Sequence, residues 1–153
     1  MDEIIIDTIV LDYLTRNQKA LTPTSVRRIE QADTVYVCVS SMWELANHVR
    51  EGLIVLDTNF DGFYQKALQT LGVTLLDTQW SALSYLATFD YQVINKPWQR
   101  TVNNVITAGT KQELHKDPFD RIIIVHSLVM NLPVVSPDTL FPHYMDRGLQ
   151  VIW

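Results

Sequence analysis

The stretch HKDPFDRIIIVHSL (His115–Leu128) decides the fold, because its centre can be read in two ways. The β-branched run Arg121–Val125 has strand propensity. Asp117 followed by Pro118 is instead a helix opening, with an acid at the N-cap, proline at the first helical position and Asp120 at the third. The segment PVVS begins soon afterwards at Pro133 and reads as a strand. A helix before it keeps strands and helices alternating, so the spacing predicts a helix over Pro118–Met130, buried on most sides. Context overrules local propensity.

Working outward, EIIID (Glu3–Asp7) reads as a short buried strand that turns into helix through DTIVLDYL. Thr22 and Pro23 form an N-cap and first helical position. TVYVCVS (Thr34–Ser40) is a second strand. In SSMWELANHVREGL, residues Met42, Leu45, Ala46, Val49 and Leu53 follow helical spacing, and Gly52 suits the end. Asn59–Gly72 is a further helix, Val73–Asp77 a third strand, and TQWSALSYLATF another helix. NLPVVSPD and GLQVIW supply the last two strands. Strands apolar throughout, alternating with helices, predict an α/β fold with a mainly parallel sheet covered on both faces.

DYQVINKPWQRTVNNVITAGTKQE (Asp90–Glu113) breaks this alternation: it is polar, holds Pro97 and Gly109, and has weak periodicity. It reads as an insertion at about residues 90–113, in part helical. A lid, a partner-binding flap, or a surface excursion without chemical role are all compatible with it. The 153 residues otherwise form a single domain, with no repeat or linker.

Composition narrows the class. An apolar content of 47% and a charged content of 19% are those of a globular chain. The acidic start MDEIIID is unlike a signal peptide, and no apolar run reaches the roughly 20 residues of a bilayer span. The expectation is a cytoplasmic protein with no membrane partner. Cys38, the single cysteine, reads as a buried structural thiol, and no Cys or close His pair supports zinc. A net charge of −5 argues against broad electrostatic binding of nucleic acid, unless metal ions supply positive charge at a site.

Four carboxylates fall where a parallel sheet places its ligand site, outside the carboxyl ends of strands. Asp7 ends the first strand, Glu44 lies in the first turn after the second, Asp120 opens the Pro118 helix, and Asp138 follows the strand in VVSPD. Converging acids raise one another's pKa, and a divalent cation removes the conflict. Hard oxygen donors select Mg²⁺ or Mn²⁺, which can activate water for attack on phosphorus and stabilise the leaving oxygen. Each acid taken singly has a plainer reading. SMWE can be a capping box in which Ser41 and Glu44 satisfy backbone amides, Asp117 and Asp120 suit a helix start, and Asp138 suits a turn. Only the joint pattern favours a metal site.

Taken in order, IIIDTIVLDYL, SSMWELANHVREGL, HKDPFDRIIIVHSL, LPVVSPD and the terminal VIW make the chain resemble the PIN-domain ribonucleases. The resemblance is closest to the VapC-type toxins of bacterial toxin–antitoxin pairs and runs essentially end to end. It implies a three-layer α/β/α PIN-like domain, a homodimer, cleavage of RNA, and inhibition by a protein antitoxin. It also implies that Asp7, Glu44, Asp120 and Asp138 hold Mg²⁺ or Mn²⁺, with Thr8 positioning ligands or water beside the first acid. The chain departs from the family pattern at Asp12, His48, Val125 and Ser127, and in the long stretch between Glu44 and Asp120.

Other residues weigh less. Asp117 and Arg121 flank the third acid as supporting residues. Arg121 could contact phosphate, although an ion pair at the surface or core edge is the plainer role. Lys111, Lys116, Arg50 and His48 could guide RNA, and Trp98 with Arg100 could stack on an unpaired base. For each of these a solvated or locally packed role is the simpler reading. His126 reads as a hydrogen-bonded core residue, and Trp43 and Trp153 as core. The leading expectation is a metal-dependent endoribonuclease. Its rivals are a non-catalytic PIN-like binding module whose acids cap helices, and a phosphate-accepting receiver domain. For the receiver, NKPW follows no convincing strand.

Overall fold

A computed structural model of the protein describes residues 1–153, apart from the side chain of Leu68. Strand β1 (Glu3–Ile6) runs through Asp7 into α1 (Thr8–Arg16). Helix α2 (Pro23–Gln31) opens as its sequence predicts, with Thr22 accepting from the Ser25 amide and Pro23 in the first position. Strand β2 (Thr34–Cys38) passes directly into α3 (Val39–Arg50). Asn59 caps the start of α4 (Phe60–Leu71), and Gly72 ends it in a left-handed conformation, φ 63°. Then come β3 (Val73–Leu76), α5 (Trp80–Leu86), β4 (Val93–Val102), β5 (Val105–Leu114), α6 (Pro118–Met130), β6 (Val134–Val135) and β7 (Val151–Ile152). The run at Arg121–Val125 is helical, with the predicted bounds.

The central sheet has the order β3-β2-β1-β6-β7, and every pairing in it is parallel. Alternation along β1 sends side chains to opposite faces. Ile4 and Ile6 pack with Val10, Leu11, Leu45 and Phe63 from α1, α3 and α4. Ile5 packs with Val134, Ala82, Ile123 and Ile124, which brings α5 and α6 onto the other face. The result is a three-layer α/β/α architecture with two cores. From β1 the chain builds outward through β2 to β3, then returns to lay β6 and β7 on the other side. Strands β1 and β6 therefore flank the point where strand order reverses, the place where open α/β sheets bind ligands.

The segment expected to be a partly helical insertion is instead an antiparallel hairpin, β4 with β5, forming a sheet of its own. Its turn is Asn103-Asn104, both at positive φ (49° and 62°), the backbone a two-residue hairpin of right-handed twist requires. Pro97 does not break β4, because a two-stranded ribbon has open edges where a missing N–H costs nothing. Smaller expectations also fail. Helix α3 stops at Arg50 and leaves Leu53 70% exposed. Trp43 is exposed rather than core, edge-on to Phe119, and Trp153 is only partly covered, beside Tyr13. His126 is the buried, bonded residue expected: its Nδ1 meets the Ile122 carbonyl and its Nε2 accepts from the Gln79 amide. Cys38 is buried as expected, with its thiol pushed up to about 12 by desolvation and by Asp7. Among the described residues no helix is long and apolar enough to cross a membrane.

Candidate functional site

Because β2, β1 and β6 are parallel neighbours, the segments leaving their carboxyl ends emerge side by side. Asp7, Glu44, Asp120 and Asp138 all line one cleft there, about 530 Å³ in volume, with Thr8, Asp12, His48 and Asp117 beside them. The four acids are thus brought together from four distant parts of the chain.

Each is held by its own bonds. Asp7 caps α1 with Oδ1 on the Thr8 amide at 2.6 Å, while Oδ2 accepts from the Ser136 hydroxyl at 2.6 Å. Ser136 in turn accepts from the Asp138 amide at 3.0 Å, so one hydroxyl ties the first acid to the last. Thr8 donates from Oγ1 to Glu44 Oε2 at 2.6 Å, linking α1 to α3. Asp138 turns its own loop by accepting from the Leu140 amide. Asp117 caps α6 through the amides of Phe119 and Asp120, as its sequence predicts.

The capping box expected at Ser41 and Glu44 does not form. Helix α3 begins at Val39, three residues earlier than that reading needs, so Ser41 is already helical and Glu44 lies in the second turn rather than the first. The Ser41 hydroxyl is buried without a partner among the described residues, and Glu44 points across to Thr8. Glu44 therefore has no capping role. Arg121, whose plainer expected role was an ion pair at the surface or core edge, forms none among the described residues. It donates to the His115 carbonyl at 2.7 and 3.2 Å and lies over the Tyr91 ring at 3.5 Å.

Two residues that hold the site carry no mark of that role in the sequence. His115 is buried, with Nε2 3.0 Å from Asp120 Oδ2 and Nδ1 2.8 Å from the Tyr144 hydroxyl. Tyr144 donating to Nδ1 leaves Nε2–H to donate to Asp120, so both ring nitrogens are used. Ser136 is the other. Both sit inside the stretches that carry the acids, HKDPFD and VVSPD, but a buried histidine and a strand-end serine have no periodicity to mark them.

The electrostatics follow from burial and crowding. Burial, with smaller contributions from Asp120 and Glu44, raises Asp7 to about 7 against the opposing bonds from Ser136 and Thr8. Glu44 is raised by burial and by Asp117 and Asp120, and Asp120 by burial and by Asp117 and Asp138. Such a pocket needs protons or a cation. Among the described residues no three His, Cys, Asp or Glu side chains form a ready-made cage for one ion. Mg²⁺ does not need one, since it takes one or two carboxylates directly and keeps water on its other positions. Glu44 Oε1, Asp120 Oδ1 and Asp138 Oδ2 accept no hydrogen bond among the described residues, so hard oxygen lone pairs remain open. The donor set fits a divalent cation.

Fold and cleft together define the class: an α/β protein with a parallel sheet and an acidic cleft at its switch point. No protein-family model matches the chain, and no curated protein matches it.

Proposed function

We propose that the protein is a Mg²⁺- or Mn²⁺-dependent endoribonuclease of the PIN-domain kind, the toxin of a toxin–antitoxin pair acting in the cytoplasm as a homodimer. The observation that carries this reading is the convergence of Asp7, Glu44, Asp120 and Asp138 on one cleft, where burial, and to a smaller extent crowding, raises the first three above their ordinary range. Asp120 and Glu44, with Asp7 and Asp138, would hold the ion. When bound, it supplies activation of water and neutralises charge on the phosphodiester. The chain's own part is positioning. Thr8 fixes Glu44 relative to Asp7, Ser136 fixes Asp7 relative to Asp138, and His115 fixes the orientation of Asp120. No side-chain nucleophile is needed.

The expected result is that Asp120→Asn, with its circular dichroism unchanged, loses Mn²⁺-dependent RNA cleavage by at least about a hundredfold, and that excess chelator does the same to the natural chain. Full activity in either case would overturn the mechanism. A second reading, a protein-binding module whose acids serve the backbone, draws on the oxygens Asp7 and Asp138 give to amides. Calorimetry separates the two, since a module of that kind takes up neither Mg²⁺ nor Mn²⁺.

A further inference from the structure

The hairpin has no packing reason to exist as it does. Of its strand residues only Ile94 is buried, and an isolated two-stranded ribbon is marginal in water. Its register sorts its residues sharply. Paired residues share a face, so Lys96 with Lys111, Trp98 with Gly109, and Arg100 with Thr107 line one side in succession. That side carries all three cations of the hairpin. The opposite side, from Val93 and Leu114 to Thr101 and Ile106, carries no charged residue.

Two lysines directly across from one another cost a ribbon stability. Glu113 offsets part of this, 3.0 Å from Lys111 and 4.0 Å from Lys96. The indole of Trp98 lies across Gly109, where an added Cβ would stand 3.1 Å from three of its atoms, yet Trp98 stays 42% exposed. A cationic, aromatic stripe is thus displayed on a chain with 17 acids and 12 bases. Lys96 and Lys116 also line a second cleft of about 480 Å³, which runs from the base of the hairpin to Asp117, Asp120 and Asp138. The stripe ends at the acids.

We infer that this face of the hairpin is a track for unpaired RNA, with Trp98 stacking on a base and Lys96, Arg100 and Lys111 holding phosphates as the strand passes into the acidic cleft. The inference rests on the ribonuclease reading for the direction of the strand, while the binding itself can be tested alone. Positive charge following the backbone, combined with an aromatic platform, is how single strands are held without regard to sequence.

The probe is a fluorescein-labelled, unpaired RNA of about twelve nucleotides, within the span such surfaces cover. Anisotropy in chelator measures binding by the full chain, and Mn²⁺ is then added to measure cleavage. Lys96→Glu/Arg100→Glu/Lys111→Glu is expected to weaken binding by at least about tenfold, and to lower the slope of log affinity against log salt by about 2. Trp98→Ala weakens binding about tenfold and Trp98→Phe restores most of it. The control Gln99→Glu/Thr101→Glu/Gln112→Glu, on the uncharged face, leaves binding within about twofold, less than one lost stacking contact. Binding without cleavage by the natural chain overturns the ribonuclease reading and supports the track. No binding by the natural chain, or equal losses from both faces, overturns the track. So does a change of oligomeric state in the charge-reversed variant at unchanged RNA affinity, which would assign the face to a protein contact.

Discussion

Asp7 occupies a costly place for a carboxylate. It is buried and near Glu44 and Asp120, and its pKa stands at about 7 in the fold against 3.8 for the free group. A pKa raised by folding means that the folded state holds more protons between those values. The contribution to stability is therefore complete below about pH 4 and lost as pH rises through 7. Glu44 and Asp120 move in the same direction. In chelator, urea unfolding should give a stability that falls between pH 5 and pH 8 by a few kcal/mol at most, about 1.4 kcal/mol for each tenfold change in proton affinity. Asp7→Asn should flatten that fall while removing cleavage. A metal-free stability that climbs across the same range would show that burial does not penalise the charged acids. Thr8→Val tests the support: it leaves Glu44 without its bond, and should lower cleavage about tenfold while the fold stays intact.

At the level of elements, α6 does two things with neighbouring acids. Asp117 satisfies the helix's first amides, and Asp120, one turn along, faces the cleft. The roles separate by substitution. Asp117→Ser keeps an oxygen at the cap and should keep both stability and cleavage, whereas Asp117→Ala should cost about 1 kcal/mol in denaturant unfolding. Loss of cleavage in the serine variant at full stability would make Asp117 part of the proposed metal site. Element bounds were largely legible because their signals are local: Thr22-Pro23, Asp117-Pro118 and Gly72 each act within a few residues. The hairpin signal was also local. Asn103-Asn104 between valines marks a turn of this kind, but Pro97 and Gly109 obscured the strands, and only the pairing accounts for both.

For the whole molecule, the hairpin should be separable from the sheet in stability. Replacing Pro97–Thr110 with a short glycine-serine loop should move Tm by less than about 4 °C, because no buried residue is removed. A larger drop would mean that the hairpin braces the core. A divalent cation should act in the opposite sense, raising Tm at pH 8 with the logarithm of its concentration once that exceeds Kd and leaving Asp120→Asn unmoved.

Outside the hairpin, the order of strands and helices, the helix at Pro118–Met130 and the identity of the four acids could be read from the chain alone, because capping, hydrophobic runs and strand-end position are properties of neighbours in sequence. Whether Glu44 caps its helix or crosses to Thr8 depended on where β2 gives way to α3, a matter of three residues that only packing resolves. The roles of His115 and Ser136, the turning of Arg121 onto Tyr91, and the single charged face of the hairpin were likewise decided by tertiary structure. Each depends on which atoms meet across segments far apart in the chain, and pairwise contacts of that kind leave no periodic trace in the residues that make them.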